Sequence, residues 1–241
     1  MTKLNRVAPP ASNMDVEALK EEAGRAACSY VEHGMNVGLG TGSTVKYTIL
    51  ELGRRVSEEG LEIIGVPTSV ATEHLAKEVG IPLASLDDLD GLDIVIDGTD
   101  EFDPQFQLIK GGGAALLREK IVAQSSARMV VVADQRKQVD TLGAFPLPIE
   151  ITPFSHLTTV RALEQALDCK VTLRTKGEDT LVTDNGNFIV DAHTGPTIND
   201  PAKRETEVLN IAGVVQVGLF INMCDVVVLA SDEGVVILEK A

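Results

Sequence analysis

The chain reads as an α/β protein: a Rossmann-like, mostly parallel sheet with helices on both faces, joined to a smaller α+β unit. Three observations predict this. Helix-like and strand-like segments alternate through the first half. The strand segments are continuously apolar, as in Met129-Val-Val-Val-Ala133, which marks strands covered on both faces. A glycine-rich turn, Gly38-Leu-Gly-Thr-Gly-Ser-Thr44, lies between a strand and a helix, the context of a phosphate-binding loop.

Taken in order, residues 1–14 read as a flexible tail with no signal-peptide core. Apolar spacing predicts helix over Val16 to Val31, a short strand from Asn36 to Leu39, and helix from Ser43 to Val56. Strand Leu61 to Val66, helix Val70 to Val79 and strand Leu92 to Ile96 follow. A glycine turn then leads into helix Ala114 to Ala123 and strand Met129 to Ala133. The pattern changes at Phe145-Pro-Leu-Pro148. Beyond it come strand Ile149 to Ile151, helix Leu157 to Leu167, strand Lys170 to Arg174, a turn at Asp184-Asn-Gly-Asn187, strand Phe188 to Asp191 and a helix after Pro201. The runs Val214 to Ile221, Asp225 to Ala230 and Val235 to Leu238 read as strands returning to the main sheet. The expected division is therefore a Rossmann-like catalytic domain over 15–147 and 210–241, with a small α+β domain over 148–209.

At 241 residues the chain can bury a sizeable core. Its 21 basic and 36 acidic residues give a net charge of -15, which repels nucleic acid and acidic membrane surfaces, and 3% aromatics without Trp argue against base-stacking platforms. An anionic substrate therefore needs a local cationic pocket. Cys28, Cys169 and Cys224 are odd in number and widely spaced, as in reduced cytoplasmic proteins. No apolar run reaches transmembrane length.

The most informative stretch is Lys110-Gly-Gly-Gly-Ala-Ala-Leu-Leu-Arg-Glu-Lys120. Consecutive glycines weaken any element unless the backbone must approach something closely. Here they can bare N–H groups to an anion where a helix begins near Ala114, with Lys110 before the turn and Glu119 in the second helical turn. A cation, N–H donors and a carboxylate suit proton abstraction beside a carbonyl. Surface charges around a flexible loop are the alternative. Gly38 to Thr44 is neither the dinucleotide fingerprint, since Ser43 replaces the third glycine, nor a nucleotide P-loop. Its hydroxyls, Thr41, Ser43 and Thr44, suit one small phosphate; a structural turn capped by Ser43 is the competing view. Asp97-Gly-Thr-Asp100-Glu-Phe-Asp103 follows a buried strand at the carboxyl edge of the sheet. It lacks calcium-loop spacing, leaving either a two-carboxylate magnesium site or Asp97 and Asp100 as catalytic carboxylates that hydrogen-bond sugar hydroxyls and move protons during ring opening. Lys137, after strand Met129 to Ala133, offers a further phosphate charge or is a solvated loop lysine. The four histidines show no metal-ligand spacing.

Together with Lys137-Gln-Val-Asp140, Phe145-Pro-Leu-Pro148, Thr183-Asp-Asn-Gly-Asn187 and Gly213-Val-Val-Gln-Val-Gly-Leu-Phe220, these motifs resemble ribose-5-phosphate isomerase of the A type, in order and spacing, over nearly the whole chain after the tail. The resemblance implies a cytoplasmic homodimer or homotetramer, with no cofactor or metal, that interconverts ribose 5-phosphate and ribulose 5-phosphate through an enediolate. It implies that Glu119 is the base and that Asp97, Asp100 and Lys110 hold the sugar. Ser43, Thr44, Lys137 and, less closely matched, Lys20 hold the phosphate. Thr41, Gly42, Gly98, Thr99 and Gly111 to Gly113 complete the expected binding surface. Thr99 stands where alanine is common in the family. The architecture is also similar to sugar-phosphate sensor domains of transcription regulators and to CoA transferases, so fold alone does not settle activity.

Overall fold

The computed structural model describes residues 15–240, so the tail expected at 1–14 lies outside the described residues. In chain order, α1 (Val16–Ala27) leads to β1 (Asn36–Leu39), α2 (Val45–Glu59), β2 (Ile64–Pro67), α3 (Val70–Glu78) and β3 (Ile94–Gly98). The short strands β4 (Glu101–Phe102) and β5 (Leu108–Ile109) precede α4 (Leu116–Gln124) and β6 (Met129–Asp134). Then come β7 (Leu147–Ile151), α5 (His156–Leu167), β8 (Val171–Leu173), the hairpin of β9 (Thr175–Lys176) and β10 (Asp179–Thr180), β11 (Phe188–Ala192) and α6 (Pro201–Leu209). The chain closes with β12 (Val214–Val217), β13 (Leu219–Phe220), β14 (Val226–Ser231) and β15 (Gly234–Glu239).

The main sheet has the order β15-β14-β6-β3-β1-β2 and is parallel except for the edge strand β15. Its central strands are apolar on both faces because both faces are covered. In β6, Val130 and Val132 join the cluster under α1 and α2, while Val131 and Ala133 join the cluster under α4. Burying each such side chain contributes about 1.5–3 kcal/mol. Because β2 and β3 lie on opposite sides of β1, the chain reverses direction across the sheet there. A crevice opens at the carboxyl ends of the strands at such a reversal.

Helix starts follow local chemistry. The Asp15 carboxylate accepts from Glu17 N and Ala18 N, Ser69 Oγ accepts from Thr72 N, and Asp200 accepts from Lys203 N ahead of Pro201 at the first turn. The first helix ends at Ala27, short of Val31, and tightens into a 3-10 turn over Cys28–Tyr30. The strand expected from Leu61 begins only at Ile64, and the one expected to end at Ile96 continues through Asp97 and Gly98. Asp97 is thus a strand residue.

One assignment is corrected by the pairing. The run Val214 to Ile221 does not return to the main sheet. Its first part, β12, pairs with β7 in a four-stranded sheet of order β12-β7-β11-β8, and its second, β13, pairs with β5 in a three-stranded sheet with β4. The break falls at Gly218, whose N–H donates to Pro148 O and whose carbonyl accepts from Lys110 N, both at 2.8 Å. A Cβ there would overlap the Lys110 carbonyl. The buried ammonium of Lys120 then donates to the carbonyls on either side, Val217 O at 2.9 Å and Leu219 O at 2.7 Å. Apolar periodicity alone cannot register such a break.

Candidate active site

A cavity of about 290 Å³ sits at the carboxyl ends of β1, β3 and β6. Every residue expected to bind substrate lines it except Asp97, and Arg136, not singled out in the sequence, lines it too. Three loops converge there because parallel strands deliver their following turns to one edge.

The floor is a buried charge cluster. Lys110 is 2% exposed and its ammonium donates to Gly98 O at 2.6 Å, with Asp97 Oδ2 at 3.0 Å and Glu119 Oε1 at 3.3 Å. Asp97, which the resemblance places against the sugar, is fully buried beside Lys110, its Oδ1 accepting from Gly98 N and Thr41 N. Gly40 is required for this packing, since a Cβ would overlap the Asp97 carboxylate. Two carboxylates share one lysine in a site shielded from water. Burial therefore drives Glu119 up to about 8, with Lys110 opposing and the Asp97 charge adding to the rise. Burial also raises Asp97, against Lys110 and two backbone donors. Lys110 is raised despite its own burial, because Asp97 and Glu119 favour the ammonium. Glu119 Oε2 has no hydrogen-bond partner among the described residues.

The glycine turn differs from expectation. Ala114 takes a left-handed conformation, φ 60°, so α4 begins at Leu116 and Glu119 falls in its first turn. That placement puts its carboxylate beside the positive helix end. Gly111 also has positive φ, 111°. One turn amide is already used: Gly112 N donates to Asp100 Oδ2 at 2.7 Å. Thr99 Oγ1 donates to Glu101 O and Ile109 O, fixing the loop that carries Asp100.

At the opposite end, α2 begins at Val45 and its N-cap Thr44 makes no side-chain capping bond. The structure does not use Ser43 as a cap. Thr41 lines the cavity, but its N–H goes to Asp97 and its hydroxyl lies within bonding distance of Thr68, Ser69 and Thr72. The rim is cationic. Lys20 reaches it from α1 while donating to Glu17 Oε1 at 2.6 Å. Arg136 forms a two-pronged pair with Asp134, and Lys137 has no ion-pair partner among the described residues. The cations expected for an acidic protein's anion pocket are thus concentrated here.

The four-stranded sheet grips this site from outside, through residues to which the sequence reading gave no role. Arg118, next to Glu119, donates from Nε to Asn185 Oδ1 and from Nη2 to Asp184 O, both at 2.8 Å. The turn it holds is anchored by buried Glu150, whose Oε1 accepts from Thr183, Asn185 and Asn187. Asp184 also caps α3 through Val70 N at 2.8 Å. This explains the Thr183 to Asn187 motif. Arg174 donates to the carbonyls of Gly111 and Gly112.

Fold and cavity define the class: an α/β protein with a cation-rimmed pocket at the sheet's carboxyl edge and a buried carboxylate–lysine cluster in its floor. Residues 64–234 match the family described as ribose 5-phosphate isomerase A (phosphoriboisomerase A). Proteins named ribose-5-phosphate isomerase A from Cereibacter sphaeroides and Bacillus mycoides are 49% and 51% identical to it, over 93% and 90% of this chain and 92% and 97% of theirs. The solved structure of a D-ribose-5-phosphate isomerase in complex with phospho-erythronic acid superposes with a TM-score of 0.90 at 42% identity, covering 94% of this chain and 100% of that one. Ribose 5-phosphate isomerase A of Methanocaldococcus jannaschii gives 0.88 at 39%, covering 93% and 99%. The chain belongs to the ribose-5-phosphate isomerase A family.

Proposed function

We propose that the protein interconverts ribose 5-phosphate and ribulose 5-phosphate, with Glu119 as the base. The observation that carries this reading is the Glu119 carboxylate, buried in the cavity wall beside Lys110 with Oε2 unengaged. Glu119 takes the proton from C2 of the open-chain aldose and returns it to C1, passing through an enediolate. A base held near 8 balances availability against strength at neutral pH.

Lys110 supplies the charge for the developing oxyanion. Its longest contact, to Glu119 at 3.3 Å, is the one a substrate oxygen would displace. Each such donor is often worth about 3 kcal/mol. Asp97 keeps Lys110 charged and aimed, and Asp100 orients sugar hydroxyls. Ser43, Thr44, Lys137, Lys20 and Arg136 hold the phosphate, whose binding energy fixes C1 and C2 near the carboxylate. The phosphorylated acid recorded in the solved relative supports a pocket for this ligand class.

No helix among the described residues is long and apolar enough to cross a membrane. The proposal places the enzyme in the cytoplasm as a homodimer or homotetramer. Phe154 and Leu157, 86% and 58% exposed, offer apolar surface for a second copy. A coupled assay with ribose 5-phosphate tests the activity, and absence of turnover by folded protein would overturn it. Light scattering tests the assembly, with a monomer as the contrary result.

A further inference from the structure

The carbonyls of the glycine turn that faces the substrate are met from behind by one side chain from beside a different sheet. Arg174 follows β8, 63 residues beyond Gly111 in sequence, and its backbone is fixed by Arg174 N donating to Ile189 O at 2.8 Å. Its Nη1 donates to Gly111 O at 2.7 Å and to Gly112 O at 3.2 Å. The remaining edge of the guanidinium is locked to Asp191: Nε donates to Oδ2 at 2.8 Å, and Nη2 donates to Oδ1. Both side chains are largely buried, at 15% and 19% exposure.

In a trans peptide the C=O and N–H point in opposite directions. Holding the Gly111 carbonyl therefore sets the Gly112 N–H, which donates to Asp100. Holding the Gly112 carbonyl likewise sets the Gly113 N–H. That group has no acceptor among the described residues, and Gly113 lines the cavity. Ala114 N also donates to Gly111 O at 3.0 Å, so the Gly112 carbonyl is the one that Arg174 alone holds among the described residues, and with glycine on both sides its peptide would otherwise rotate most freely. A cation on the two carbonyl oxygens also polarises the peptides, strengthening the N–H as a donor.

Building on the isomerase reading, we propose that Arg174, fixed by Asp191, is a positioning residue for the reaction: it orients and polarises the Gly111–Gly113 peptides so that the Gly113 N–H meets the oxygen that gains charge in the enediolate. Arg174 touches no substrate atom in this scheme. The planar fork matters because one edge must serve Asp191 while the other serves the turn, a division that a lysine cannot reproduce.

The experiment compares wild type, Arg174→Ala, Arg174→Lys and Asp191→Asn with ribose 5-phosphate and with its C2-deuterated form, alongside inhibition by inorganic phosphate. For Arg174→Ala, kcat falls at least tenfold, the isotope effect on kcat rises, and the phosphate inhibition constant stays within twofold. Arg174→Lys remains at least fivefold impaired, Asp191→Asn is impaired in the same sense but less, and guanidinium ion added to Arg174→Ala restores part of kcat. Should Arg174→Ala fail to fold, the same readings on Arg174→Lys decide the matter. An active wild type with unchanged kcat in the variants, or with kcat and phosphate inhibition weakened in parallel, overturns the inference alone, because the arginine is then unimportant or merely structural. A folded but inactive wild type overturns the isomerase reading and this inference together.

Discussion

At one end of the cavity Gly42 and Ser43 are exposed and the Thr44 hydroxyl is left out of helix capping; at the other, Asp97, Lys110 and Glu119 are 0%, 2% and 3% exposed, with both carboxylates on the one lysine. An anion-binding loop works by keeping its donors available to a ligand, so its polar groups stay open. A proton-transfer centre works by raising a carboxylate's basicity, which requires removing it from water. The contrast teaches that the open end should govern affinity and the buried end turnover.

The largest effect falls at the buried end. Glu119→Gln should keep the fold and phosphate inhibition but lower kcat at least about a hundredfold, because the amide cannot accept the C2 proton. Near wild-type turnover in folded protein would remove Glu119 from the role of base. Next comes pH. The base must be ionised, and burial raises its value to about 8, so the working form is lost as pH falls through that value. From pH 9 to pH 7, kcat/KM should drop about tenfold. Asp97→Asn should shift this limb to lower pH, since the neighbouring charge that helps to raise Glu119 is gone. A flat profile, or a limb moved upward, would contradict the shared-lysine account.

Smaller effects belong to the open end. Lys137→Ala should raise KM about fivefold, and Ser43→Ala combined with Thr44→Ala about thirtyfold, with little change in kcat, as expected for about 1 kcal/mol per lost contact made equally in ground and transition states. A drop in kcat at constant KM would dissolve the proposed division. The smallest effect is none: exhaustive chelation, verified by elemental analysis, should leave turnover unchanged. Loss of activity restored by magnesium or manganese would recast Asp97 and Asp100 as metal ligands.

Much of this was readable in the residues. The order of the helices and main-sheet strands through Asp134 follows from apolar periodicity, while the two-residue strands β4 and β5 are too short to show a period, and the glycine turns announce where the backbone must pass close to something. Boundaries were less readable because the competing forces are not local. The helix after the glycines begins at Leu116 only because Ala114 turns left-handed, a conformation alanine adopts when the surrounding structure demands it. Gly218 splits an apolar run because Lys110 and Pro148 meet its backbone from distant strands.

The alternation that makes a parallel sheet, the loops at its edge and the identity of the chemical groups there are local properties of the chain, since periodicity and residue type act within a few neighbouring positions. Which groups meet depends on the folded chain. Folding put Asp97 beside Lys110 rather than in the cavity, left Glu119 with half a cation's support, added Arg136 to the rim, and brought Arg174 and Asn185 from the four-stranded sheet onto the turn and helix of the base. A carboxylate's basicity depends on the charges and solvent within several ångströms in space. Those neighbours come from segments far apart in the chain, so their effect exists only once the fold is made.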